Sequence, residues 1–121
     1  MIEGTLIAES LRVGTTLEDL SLAVRRISRY QAQGTTDDQP GIWTVLDFDA
    51  DESGAAELAR AFADVLDGPG WYANFQSPAT SFVVFPGKIF RYPRGDPAGR
   101  AEAQAYGRQL AIPEPQLDWT V

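Results

Sequence analysis

Asp47, Asp49, Asp51 and Glu52 form the densest group of potential ligands in the chain. Hard carboxylate oxygens at alternating positions suit calcium or magnesium. Aligned as an EF-hand loop, Asp47, Asp49 and Asp51 fill its first three ligand positions. Glu52 then stands where the turn glycine is required, and Leu58 where a bidentate carboxylate is required. As a nucleophile and acid at a strand end, Asp47 and Asp49 would match the strand-end Asp-x-Asp of haloacid-dehalogenase phosphatases, a fold that needs a longer chain and a parallel sheet. The plainer reading is a solvated strand end whose carboxylates favour the dipole of the helix that follows. No metal and no cofactor are expected on this basis.

Other chemistries are bounded by missing residue types. The chain has no His and no Cys. This excludes a Ser-His-Asp triad, a thiol nucleophile, the usual zinc ligand sets and an imidazole proton shuttle. Arg94-Gly95-Asp96 matches an adhesion tripeptide but also builds a turn and a helix cap. Arg91, Arg94, Arg100 and Arg108 could meet an anion at that helix start, or pair with surface carboxylates. Trp71, Tyr72 and Phe75 could stack a ligand, although aromatic residues in strands are more often core. Carboxylates outnumber cations, and the net charge of -7 over 121 residues disfavours nucleic acid and suits a partner with a basic surface.

The elements that position these residues follow from periodicity and punctuation. Thr5 to Val13 reads as a strand or a short helix. For Thr15 to Tyr30, Thr15 and Glu18 match a capping box and Leu17, Leu20, Val24 and Ile27 keep helical spacing. Leu20, Leu22 and Val24 alternate instead, and Leu22 to Tyr30 leans to strand. Residues 31 to 40 are polar enough for a mobile loop. Ile42 to Asp49 alternates, with Ile42, Leu46 and Phe48 on one face and Asp47 and Asp49 on the other. Ser53 is the expected cap of a helix striped by Ala55, Leu58, Phe62, Val65 and Leu66, closed by Gly68-Pro69-Gly70.

Strands are expected at Trp71 to Gln76, Ser81 to Phe85 and Lys88 to Tyr92. The last two meet at Pro86-Gly87, in a loop expected to be wider than two residues because a type II turn splays a hairpin. Asp96 caps a second helix with Pro97 at its first position. Ala98, Ala101 and Ala105 are its expected inward positions. Leu110 and Ile112 would anchor its end, with Pro113, Pro115 and Trp119 covering an edge. The resulting fold class is α+β: a single domain over residues 1–121, mainly antiparallel sheet with two helices packed on one face. Such packing leaves an apolar second face, with Val83, Phe85 and Phe90 on it, open to a partner or a homodimer.

Phe82 to Pro93, the alanine-rich helix, Ile112-Pro113 and Leu117-Asp118-Trp119 resemble small actinobacterial α+β proteins. More loosely, residues 71 to 119 are similar to immunity proteins encoded beside bacterial polymorphic toxins. The resemblance implies a non-enzymatic partner-binding protein and carries over no active-site residue.

The function expected is a non-catalytic, acidic, protein-binding module of immunity or antitoxin type. Asp37, Asp38, Asp47, Asp49, Asp51 and Glu52 would steer a basic partner, and Trp71 and Tyr72 would supply affinity. The alternative is a small-molecule-binding protein or a magnesium-dependent enzyme using Asp47, Asp49 and Asp51. Met1-Ile2-Glu3-Gly4 begins no secretory leader, and no apolar run approaches the roughly 20 residues of a membrane span. A cytoplasmic location without membrane association is therefore expected.

Overall fold

A computed structural model describes residues 1–119. Six strands, β1 (Ile2–Ile7), β2 (Leu22–Gln31), β3 (Ile42–Ala50), β4 (Ala73–Gln76), β5 (Thr80–Phe85) and β6 (Lys88–Pro93), form one open sheet in the order β2-β3-β1-β4-β5-β6. Every neighbouring pair is antiparallel. Helix α1 (Ala55–Val65) joins β3 to β4, and α2 (Pro97–Gln109) follows β6. The α+β class with an antiparallel sheet and two helices is as expected, and Leu22–Gln31 is a strand.

The two helices lie on opposite faces, which corrects the expectation of one shared face. Alternation along β5 explains it: Phe82 and Val84 pack with Leu58, Ala59 and Phe62 of α1, whereas Val83 and Phe85 pack with Ala103 of α2. The sheet therefore separates two cores. On the α1 side, Ile2, Leu6, Phe48, Ala50 and Phe75 continue the first core across the middle strands. Gly4 of β1 sits between Phe48 and Phe75, and a Cβ there would come within 2.5 Å of the Phe75 Cβ. Phe48, Phe62 and Phe75 meet in the space this leaves.

On the other side, α2 and the segment after it cover β5 and β6. Ala98, Ala101 and Ala105 are exposed; Gly99, Ala103 and Gly107 face inward instead. The expectation of a close-packed small-residue stripe holds, but its phase was wrong. Asp96 caps α2 by accepting the Ala98 N–H at 3.1 Å. Leu117 and Trp119 close the second core across the sheet face rather than at an edge, and the Trp119 indole donates to the Tyr92 hydroxyl at 2.8 Å. The apolar second face foreseen as open is thus occupied by the chain itself.

Smaller differences have local causes. The strand expected at Thr5 to Val13 lies at Ile2–Ile7, followed by a 3₁₀ turn, Ala8–Ser10. Glu9 in that turn accepts the Thr44 N–H at 2.5 Å and the Thr44 hydroxyl at 3.0 Å, satisfying a β3 donor just beyond the end of β1. Ser53 does not cap α1: it lies in a 3₁₀ turn, Glu52–Gly54, capped by Asp51, which accepts the Ser53 N–H at 2.9 Å, and α1 itself starts from Gly54. The Pro86-Gly87 loop has two residues, since Phe85 pairs with Lys88. Gly87, at φ 69°, donates its N–H to the Ala63 carbonyl of α1 at 3.0 Å, so helix contact holds a turn that hairpin twist alone disfavours.

Candidate functional site

The acidic residues do not gather into one surface. Asp47 accepts the Thr5 hydroxyl at 2.9 Å and pairs with Arg26 at 3.4 Å. Asp49 pairs with Arg25 at 2.8 Å. A bulge at Arg25 makes this double pairing feasible, because an inserted residue lets two consecutive arginines address the same face of the sheet. Glu52 takes the N-terminal ammonium at 2.7 Å. Asp51 is held below the usual carboxylate range chiefly by the Ser53 backbone N–H. Asp37 and Asp38 lie apart, beside Pro69, Gly70 and Ala111. Among the described residues, no three carboxylates are grouped to hold a metal ion. The Asp47, Asp49 and Asp51 carboxylates thus each meet a separate partner.

Trp71 and Tyr72, by contrast, come together with residues that the sequence did not single out. On the α2 side of the sheet, between its middle strands and the C-terminal segment, lies a cavity of about 310 Å³. Four aromatic side chains, Tyr30, Trp43, Trp71 and Tyr72, line it with Asn74 and Asp118. Alternation places them there: Tyr30 of β2 pairs with Trp43 of β3, and Asn74 of β4 pairs with Thr5 of β1 on the same face. The Trp43 and Trp71 ring centroids are 5.3 Å apart at 56°. The Trp43 indole N–H is committed to the Pro40 carbonyl at 2.9 Å, which fixes the ring.

The cavity roof is fastened by amides. The Gln39 and Gln116 side chains donate to each other at 3.1 and 2.9 Å. Gln39 also donates to the Gly70 carbonyl at 3.0 Å and accepts the Thr36 N–H at 3.1 Å, while Gln116 donates to the Gly34 carbonyl at 2.9 Å. The stretch expected as a mobile loop is therefore bound to the C-terminal segment through a buried glutamine. The Tyr72 hydroxyl donates to the Gln116 carbonyl, and its ring meets Trp119 edge-on at 5.2 Å. Burial foremost, then the Asp118 charge, raises the Tyr72 pKa far above that of a free phenol; Arg100 opposes this weakly. Tyr72 is a neutral donor at any physiological pH.

Among the described residues lining the cavity, Asp118 is the one carboxylate. An isolated carboxylate beside aromatic walls can orient and bind, but it provides no acid-base pair.

A second feature lies at the sheet edge. Among the described residues, β2 has β3 on one side and no strand on the other. It is exposed along most of its length, and Val24 (44%), Ile27 (66%) and, from β3, Ile42 (50%) form an exposed aliphatic row on the α1 side of the sheet. Tyr30 links this edge to the cavity on the other side.

No protein-family model matches the sequence, and comparison with curated proteins and with solved structures finds no match. No helix among the described residues is long and apolar enough to cross a membrane.

Proposed function

We propose that the protein is a non-catalytic binding module that docks a protein partner along β2. The observation that carries this reading is the ten-residue edge strand with Val24, Ile27 and Ile42 exposed beside it. An unpaired strand edge offers backbone hydrogen bonds, and the apolar row offers burial that a solitary monomer leaves unused. Arg25 and Arg26 are neutralised by Asp49 and Asp47, so they do not oppose a basic partner drawn by the net charge of -7. An immunity-type role in the cytoplasm, in which binding masks a basic functional surface, is the specific form supported by composition and by the C-terminal resemblance.

The test is capture from host lysate on the immobilised protein, beside Ile27→Lys and Arg29→Glu. The expected partner is released by salt, lost with Ile27→Lys and held more strongly by Arg29→Glu. Recovery of nothing, or of a protein indifferent to Ile27→Lys, overturns the reading.

A further inference from the structure

We propose that the aromatic cavity is a binding site for an organic cation of the alkylammonium type, a property separate from docking at β2. The first ground is the wall chemistry. Tyr30, Trp43, Trp71 and Tyr72 border a single space of about 310 Å³, a volume suited to a small headgroup or the end of a side chain. Aromatic faces carry negative quadrupole potential, and several faces around one space attract a cation with poorly hydrated alkyl substituents.

The second ground is charge. Among the described residues, Asp118 is the one charged residue in the lining, and no Lys or Arg lines the cavity. The ion pairs among the described residues use Glu52, Asp49, Asp47 and Glu114, which leaves Asp118 outside them. The nearby arginines are engaged elsewhere: Arg26 and Arg25 with Asp47 and Asp49, and Arg100 with the Trp119 carbonyl at 2.9 Å. An anionic ligand would meet the Asp118 carboxylate with no Lys or Arg in the described lining to offset it. A neutral apolar ligand would cover the Asn74 amide without pairing it and leave the Asp118 charge unused. An alkylammonium satisfies both the aromatic faces and the carboxylate.

The third ground is preorganisation. Trp43 is fixed through Pro40, Tyr72 through Gln116, and the roof through the Gln39–Gln116 amide pair. Little side-chain ordering is left for binding to impose.

The cation could be a free amine or a lysine side chain presented by a protein, and the experiment separates the two. Choline, its neutral isostere carrying a tert-butyl group, and a blocked tripeptide with a central trimethyl-lysine are titrated against the folded protein. Tryptophan fluorescence and the indole N–H resonances of Trp43 and Trp71 are followed. Choline is expected to saturate, with the neutral isostere about tenfold weaker or more. Asp118→Asn, at an exposed position, is expected to weaken choline by about three- to tenfold while leaving the isostere unchanged. Tyr30→Leu, at a half-exposed position, should weaken choline as well. A peptide that binds more tightly than choline identifies a protein side chain as the source; the reverse order identifies a free amine. Equal binding of choline and its isostere overturns the proposal, as does the absence of any saturable response at about 50 mM choline. Val13→Ser, at an exposed position outside the cavity lining, serves as a folded control and should leave all these titrations unchanged.

Discussion

Gln39 illustrates how much one side chain can hold in this fold. It is buried, and its amide oxygen and nitrogen are both doubly engaged, tying residues 34 to 41 to Gly70 and to the C-terminal segment. Truncating it strands the Gly70 carbonyl, the Thr36 N–H and the Gln116 amide. Gln39→Ala should therefore lower stability by about 1–3 kcal/mol in urea unfolding, more than the loss of one average hydrogen bond. Titration at single residues gives a second expectation. Asp51 and Glu114 have folded pKa values below 3.8 and 4.5, through Ser53 and Arg108 respectively. Depressed carboxylate values contribute stability above the unfolded pKa, and that contribution is lost as pH falls through the folded values. Unfolding followed between pH 5 and pH 2 should show this loss, smaller in Asp51→Asn, with both effects modest because the groups are exposed. Tyr72 acts in the opposite direction. Its raised pKa makes stability full below the ordinary value of 10.0 and declining above it, so alkaline absorbance titration should show one phenol ionising only as the protein unfolds.

Among the elements, α2 depends on small residues. A Cβ on Gly99 would come within 2.5 Å of the Tyr92 Cβ, which cannot swing aside. One on Gly107 would meet the Leu117 Cδ2 at 2.7 Å, the far end of a side chain that can turn. Alanine is the better helix former by about 1 kcal/mol. Overpacking costs about 1–3 kcal/mol and outweighs that gain at Gly99. Gly99→Ala should thus lower the melting temperature clearly, and Gly107→Ala should change it little. The same helix shows where the sequence stops being informative. β3 and α1 could be read because Ile42, Leu46 and Phe48 alternate, while Leu58, Phe62 and Val65 recur on one helical face. In α2, alanines and glycines stand on every side, so composition predicts close packing without saying which side packs. β5 posed a related difficulty: five consecutive buried residues, from Ser81 to Phe85, announce burial on both faces but not which helix covers which. Asp47 and Asp49 were correctly placed on the face away from Phe48. Their partners Arg25 and Arg26 depend on a bulge that no local residue pattern signals. The cavity was hidden for another reason. Its walls come from β2, β3, the approach to β4 and the C-terminal segment, so no spacing along the chain connects them.

For the whole molecule, the sheet couples its two cores through shared strands. Val84 belongs to one and Val83 to the other, adjacent on β5. Loss of either core should therefore unfold both. Phe62→Ala, in the α1 core, is expected to cost about 3–5 kcal/mol, and Leu117→Ala, in the α2 core, about 2–5 kcal/mol. Each should shift one cooperative transition rather than split it, as fluorescence and far-ultraviolet dichroism measured on the same samples would show. Two separate transitions would mean that the cores are independent units.

The position of β1 governs how this sheet can be assembled. The first strand of the sheet in sequence order becomes a central one, pairing Ile2 with Ala50 on one side and Thr5 with Asn74 on the other. The β5–β6 hairpin can close within microseconds of its synthesis, whereas β1 must wait for distant residues and then close large loops. At ordinary elongation rates that wait lasts on the order of several seconds. For that interval Ile2, Leu6 and Ile7 are an unpaired apolar segment of the nascent chain, a natural target for a holding chaperone. Refolding of residues 1–121 should accordingly fall in the slow, milliseconds-to-seconds class of long-range β topologies.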